Sequence, residues 1–185
     1  PASGVSEGDG EWSVENRSVR QGKVSRRSDG PSGSPASSLM YKVEERGSVL
    51  LEATAEVNQV TPDVSRGLGA WGFGLAANFR DQNVILHSIQ GEEGGSTFEF
   101  KDVGGIPFEH GREGTYRLKL RIERRENQPA RLRGKLWQGA IEPDGWMVER
   151  DLPIDGPITH VGFRTMRCAC TFTSFRVKVL KEEPR

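Results

Sequence analysis

From Thr115 the chain alternates apolar and polar side chains: Tyr116, Leu118, Leu120 and Ile122 fall on one side, Arg117, Lys119, Arg121 and Glu123 on the other. A repeat of two is the signature of a strand with one buried face and one wet face. The same period predicts strands over residues 130–137, 146–152, 158–165 and 171–180, with a turn at Glu142-Pro143-Asp144-Gly145. Five strands joined by short turns predict antiparallel sheet, and the rest of the chain must supply the layer that covers its apolar side.

That layer is legible upstream. Residues 48–57 place Val49, Leu51, Ala53, Ala55 and Val57 on one face and Glu52, Thr54 and Glu56 on the other. Residues 70–80 set Trp71, Phe73, Leu75, Ala77 and Phe79 against Gly72, Gly74, Ala76 and Asn78, and Asp81-Gln82-Asn83 turns the chain into a partner strand over 84–90. Small residues along one side of a strand allow close approach of a neighbouring backbone or of a ligand, and close packing is the expectation here. Trp12, Val14, Val19, Gln21 and Val24 predict two short strands, residues 39–43 and 97–101 two more, and residues 103–114 a connecting loop. Residues 1–10 and 181–185 are expected as flexible tails, and residues 25–38, rich in Ser, Gly and Pro, as a flexible loop within one domain over 11–180. No stretch carries a helical period. About ten to thirteen strands exceed one flat sheet, so the expected fold is all-β, a two-sheet antiparallel β-sandwich of the jelly-roll type.

Composition then narrows the function. Lys and Arg number 26 and so do Asp and Glu, a balance that argues against a general nucleic-acid binder, which needs a basic surplus. No run reaches the ~20 apolar residues that span a bilayer. Cys168 and Cys170 stand two apart on a predicted strand, so they share a face with their Cα atoms near the upper limit for bridging. They are expected as reduced thiols turned into the sandwich. His87, His110 and His160 are too scattered for a metal set. Asp81, Asn83, Asp102 and Asp144 are the oxygen ligands available to calcium, but turn chemistry accounts for them, and no cofactor is expected.

Glycoside hydrolysis needs two carboxyl groups ~5 to 9 Å apart across a cleft. Glu52 and Glu56 alternate on one face, but Thr54 stands where a middle acid would be needed. With no acid–base pair in view, the expectation is a protein that is not an enzyme. Sugar binding asks for an aromatic platform flanked by planar donors. Trp137 and Trp146 frame the turn at 138–145, and with Gln138, Arg133 and Arg150 they are the candidate ligand-binding residues. The other reading of the two indoles is that they pack together and lock the hairpin.

Several phrases, taken in order, resemble LamG-like and concanavalin A-like jelly-roll modules: residues 12–21, 74–81 (ending Phe79-Arg80-Asp81) and 115–120, then Lys135-Leu136-Trp137 with 142–146, and finally 161–164 and 171–177. The resemblance implies the concanavalin A-like architecture and a non-catalytic recognition module for carbohydrate or another cell-surface ligand, in an extracellular or periplasmic accessory domain. The alternative it leaves is a structural or assembly module that contacts protein partners through edge strands or the 25–38 loop. The alternating Glu, Asp, Glu strand of the jelly-roll glucanases is missing here, which makes a glycoside hydrolase the third reading.

Overall fold

The computed structural model describes residues 4–7, 11–15, 18–22, 36–60, 70–91, 95–109 and 114–181, and among these there is no helix. In chain order the strands are β1 (Gly4–Glu7), β2 (Trp12–Glu15), β3 (Ser18–Gln21), β4 (Ala36–Glu45), β5 (Ser48–Val60), β6 (Trp71–Asn78) and β7 (Asn83–Gln90). They continue as β8 (Ser96–Phe100), β9 (Gly104–Pro107), β10 (Thr115–Arg125), β11 (Gln128–Gln138), β12 (Val148–Leu152), β13 (Ile158–Met166) and β14 (Cys168–Leu180). They form two seven-stranded antiparallel sheets, ordered β1-β4-β13-β6-β7-β8-β9 and β12-β11-β10-β5-β14-β3-β2. This is the expected two-sheet jelly-roll sandwich.

The period of two places the core. Leu118, Leu120 and Ile122 of β10, Leu51 and Ala55 of β5, and Phe73 and Leu75 of β6 are all buried in the layer between the sheets. The aromatic centre of that layer is Phe163 of β13, whose ring lies 4.3 Å from Phe172 and 4.6 Å from Phe175 of the opposite sheet. Phe172 and Phe175 are three residues apart, so strict alternation would turn one of them outward. A bulge resolves the conflict: between Thr173 and Arg176 the register of β14 against β5 shifts, and Ser174 takes a left-handed φ of 55°. Both rings then face in, and Arg176, opposite Glu52, faces out.

Glycine is required where sheets or strands come closest. A Cβ on Gly72 or Gly74 would lie 2.2 or 2.1 Å from a carbonyl oxygen of β7, the close backbone approach that the small-residue face of this strand predicted. At Gly134 of β11 a Cβ would collide with the Leu86 side chain of the other sheet at 2.5 Å. Cys168 and Cys170 are buried free thiols with sulfurs 3.5 Å apart, and the Cys168 thiol also donates to the Gly72 carbonyl oxygen at 3.0 Å. Burial pushes the Cys170 thiol well above its ordinary value. The expected result with an aromatic disulfide reagent is therefore negligible reaction in the folded protein and two titratable thiols in denaturant. Fast labelling of the native state would contradict the buried placement.

Three segments differ from expectation. Gly4–Glu7, expected within a tail, pairs with β4 as an edge strand, because backbone hydrogen bonding to an open edge needs no apolar pattern. Ala36, Ser37 and Ser38, expected at the end of the flexible loop, begin β4 and are buried, whereas residues 25–35 lie outside the described residues. Gly104–Pro107, expected in a connecting loop, forms β9 against β8.

Candidate functional site

The outward face of the second sheet is a lattice of charge built by register. Across it, Trp137 of β11 stands beside Arg117 of β10, which stands beside Thr54 of β5. The next row reads Lys135, Lys119, Glu52, Arg176, and the one after it Arg133, Arg121, Leu50, Lys178. Residues 139–147 leave the end of β11 and fold back over this face. The pin is Lys135, 5% exposed, whose ammonium donates to Glu142 at 3.0 Å and to the carbonyl oxygens of Pro143 and Asp144, and lies 5.1 Å from the Trp146 ring.

Between this loop and the β14 bulge runs a groove of about 290 Å³, bounded by Arg117, Lys119, Trp137, Glu142, Ser174 and Arg176. Lys119 is its hub. Its ammonium contacts Glu52 at 3.1 Å and Glu142 more closely still, and stands 5.7 Å from the Trp137 ring. Lys178 engages the other oxygen of Glu52. Burial by itself would lower the Lys119 ammonium, but the bonds to Glu142 and Glu52 outweigh it and hold the group above the ordinary lysine value. Burial likewise favours protonating Glu52 and Glu142, yet their lysine partners keep both carboxyls below the usual range. The groove therefore presents fixed charge at neutral pH. Arg117 and Arg176 add two guanidinium groups that pair with no described acidic residue, so the uncommitted charge is positive. The indole N–H of Trp137 is buried without a hydrogen-bond partner among the described residues.

Of the five residues singled out in the sequence, only Trp137 bounds the groove. Trp146 lies against Lys135 under the loop. Arg133 is on the same face but further along it, held by Glu149 at 2.9 Å and Glu123 at 3.0 Å. Gln138, exposed at the strand end, lies against Gly114. Arg150 pairs with Leu132 in register and so belongs to the opposite face of the sheet, where its side chain approaches Gly104. Alternation on β12 sends Glu149 and Asp151 outward and Arg150 inward, so Arg150 is not grouped with Trp137. Trp137 and Trp146 thus sit on one face with Lys135 associated with the second of them. Lys119 and Arg117 carry no signal of a site in the sequence, because alternating charge reads as an ordinary wet face, and Arg176 carries none because parity from Phe172 turns it inward. Asp102 lies beside Lys101 at 3.5 Å, and among the described residues no three of His, Cys, Asp and Glu converge on one point.

No family model matches the chain, and no curated protein matches its sequence. Solved structures do share its architecture. The alginate lyase of the mollusc Aplysia kurodai superposes with a TM-score of 0.59 at 9% identity, over 92% of this chain and 87% of its own. A Bauhinia forficata lectin solved with GalNAc gives 0.57 at 12% identity, over 97% and 100% of the two chains. An endo-β-1,4-glucuronan lyase of the fungus Trichoderma reesei gives 0.53 at 10%, over 96% and 90%. The class these define is the jelly-roll β-sandwich on which both lectins and polysaccharide lyases are built, and the likeness to LamG-like modules holds at that level of architecture. The expectation that the protein is not an enzyme is withdrawn: alginate and glucuronan lyases share the fold over most of its length. A carboxyl pair across a cleft is the requirement of a glycoside hydrolase, and its lack does not bear on other chemistries of the fold.

Proposed function

We propose that the groove on the outer face of the second sheet binds acidic, uronate-bearing polysaccharide. The observation that carries this reading is the pair Arg117 and Arg176, two guanidinium groups with no described acidic partner, which bound the groove together with Lys119. Guanidinium forks match carboxylates, and Trp137 adds an aromatic wall to the same groove. The substrates of two of the structural neighbours, alginate and glucuronan, are acidic polymers that guanidinium groups complement. A protein with such a site fits an extracellular or periplasmic setting, where these polymers are met.

Cleavage by β-elimination is the second reading, favoured by the lyases among the neighbours. It needs a cation on the uronate carboxylate, a base for the adjacent proton, and an acid to protonate the glycosidic oxygen that leaves as its bond to the ring carbon breaks. Arg117 and Arg176 supply the first. Glu52 and Glu142 are the carboxylates within reach for the second, and the Lys119 ammonium is the donor for the third.

The test is calorimetric titration with alginate, glucuronan and a neutral glucan, together with the ultraviolet absorbance of unsaturated product. Arg117→Ala/Arg176→Ala is expected to weaken polyuronate binding roughly 10- to 100-fold, the loss of two charge-assisted contacts. Equal binding of the neutral glucan, or an unaffected double variant, would sink the reading.

A further inference from the structure

We propose that Glu142 occupies the position of a ligand carboxylate, so that residues 139–142 form a latch which an incoming uronate must lift from Lys119. This rests on the polyuronate reading of the groove. Lys119 has two carboxylate partners of different origin. Glu52 lies beside it in strand register, and the ladder sets its position. Glu142 reaches it from the loop, where it also accepts from Lys135 at 3.0 Å, with its side chain 37% exposed. The ladder fixes the backbone of the first, whereas the second stands on a loop outside the ladder.

The loop is built to allow that motion. Its far half is pinned independently of Glu142, through the Pro143 and Asp144 carbonyl oxygens on Lys135 and through the Met147 N–H on the Gly134 carbonyl oxygen at 3.0 Å. Its near half has little to lose. Ile141 is 87% exposed, and Gly139, at φ 79°, has open space where a side chain would stand. Trp137, which bounds the groove with Glu142, carries a buried N–H without a hydrogen-bond partner among the described residues. A buried donor without an acceptor is a cost that a sugar oxygen reaching it would relieve. Released from Glu142, Lys119 joins Arg117 and Arg176 as a third cation for the ligand.

The sign of one substitution separates this from a ligand-contacting role. Wild type, Glu142→Gln, Glu149→Gln and Arg117→Ala/Arg176→Ala are titrated with an alginate tetrasaccharide, and amide hydrogen exchange over 139–147 is followed without sugar. Glu142→Gln is expected to bind about three- to tenfold tighter than wild type and to exchange faster over 139–142, since the ion pair competing for Lys119 is removed and the one to Lys135 with it. Glu149→Gln, which removes a carboxylate paired to Arg133 on the same face, is expected to change affinity less than about twofold. If the wild type binds while Glu142→Gln binds equally or more weakly, or if Glu149→Gln tightens binding as much, the latch is overturned and the polyuronate reading stands. If neither wild type nor Glu142→Gln binds, that reading falls and the latch with it.

Discussion

Phe163→Ala is expected to lower folding stability by about 4 kcal/mol, the range for deleting a large ring from a packed core. The ring is fully buried and is the principal aromatic contact between the sheets, stacked on Phe172, tilted against Phe175 and met edge-on by Tyr41 at 6.4 Å. These neighbours cannot collapse into the space, because each stands on a strand held in its own hydrogen-bond ladder. Phe163→Leu, which keeps most of the volume, should cost about 1 to 2 kcal/mol. Urea unfolding followed by circular dichroism gives both values, and an alanine variant within about 1 kcal/mol of wild type would show that the sheets do not meet at this ring. The effect should reach the groove as well. Phe175 rests on Phe163, and the bulge that turns Phe175 in is what turns Arg176 out, so the alanine variant should also weaken polyuronate binding.

Lys135→Met should cost about 1 to 3 kcal/mol, because it leaves the Pro143 and Asp144 carbonyl oxygens without their donor and Glu142 with Lys119 alone. The side chain is 7% exposed, and its ammonium serves Glu142 and two backbone carbonyl oxygens at once. Methionine preserves the stem that lies beneath the loop, so the loss isolates the charge and its hydrogen bonds from packing. Lys178→Met is the control. Lys178 is also paired to a glutamate of this face, but at 51% exposure its bond competes with water and its loss should cost under about 0.5 kcal/mol. Thermal unfolding of the two variants side by side checks the contrast, and equal shifts would mean that the loop is not pinned by Lys135. The methionine variant should also show increased tryptophan quenching, since Trp146 loses the cation beside its ring.

The alternation over 115–123 and 48–57 was enough to read which side chains face inward. Leu118, Leu120, Val49 and Leu51 are buried as their parity demands, and Glu52, Lys119 and Arg117 face out. Parity reports a face, however, and not a sheet. The five successive strands from β10 onward were expected to be neighbours in one layer. The structure keeps β10, β11, β12 and β14 together and sends β13 to the other sheet, the crossing after β13 made at Arg167 with a left-handed φ of 51°. Nothing in the period of two distinguishes a hairpin within a sheet from a corner between sheets. The candidate site was legible to the same degree. Trp137 was found because an aromatic beside a turn suggests sugar stacking. Arg176 was not, because the parity running from Phe172 assigns it to the interior until the bulge at Ser174 is known.

From the chain alone came the all-β character, the inward and outward faces of the long strands, and the turn that carries Glu142. These depend on neighbours within a few residues, whose geometry is fixed by covalent period. Tertiary structure alone decided that Lys119, Glu52, Glu142 and Arg176 converge on one groove, that Arg150 stands on the reverse of the sheet from Trp137, and that a loop closes over Lys135. Strand pairing between residues more than a hundred positions apart, such as β5 with β14, is set by the collective packing of two sheets, and that is a sum over the whole core which no local pattern contains.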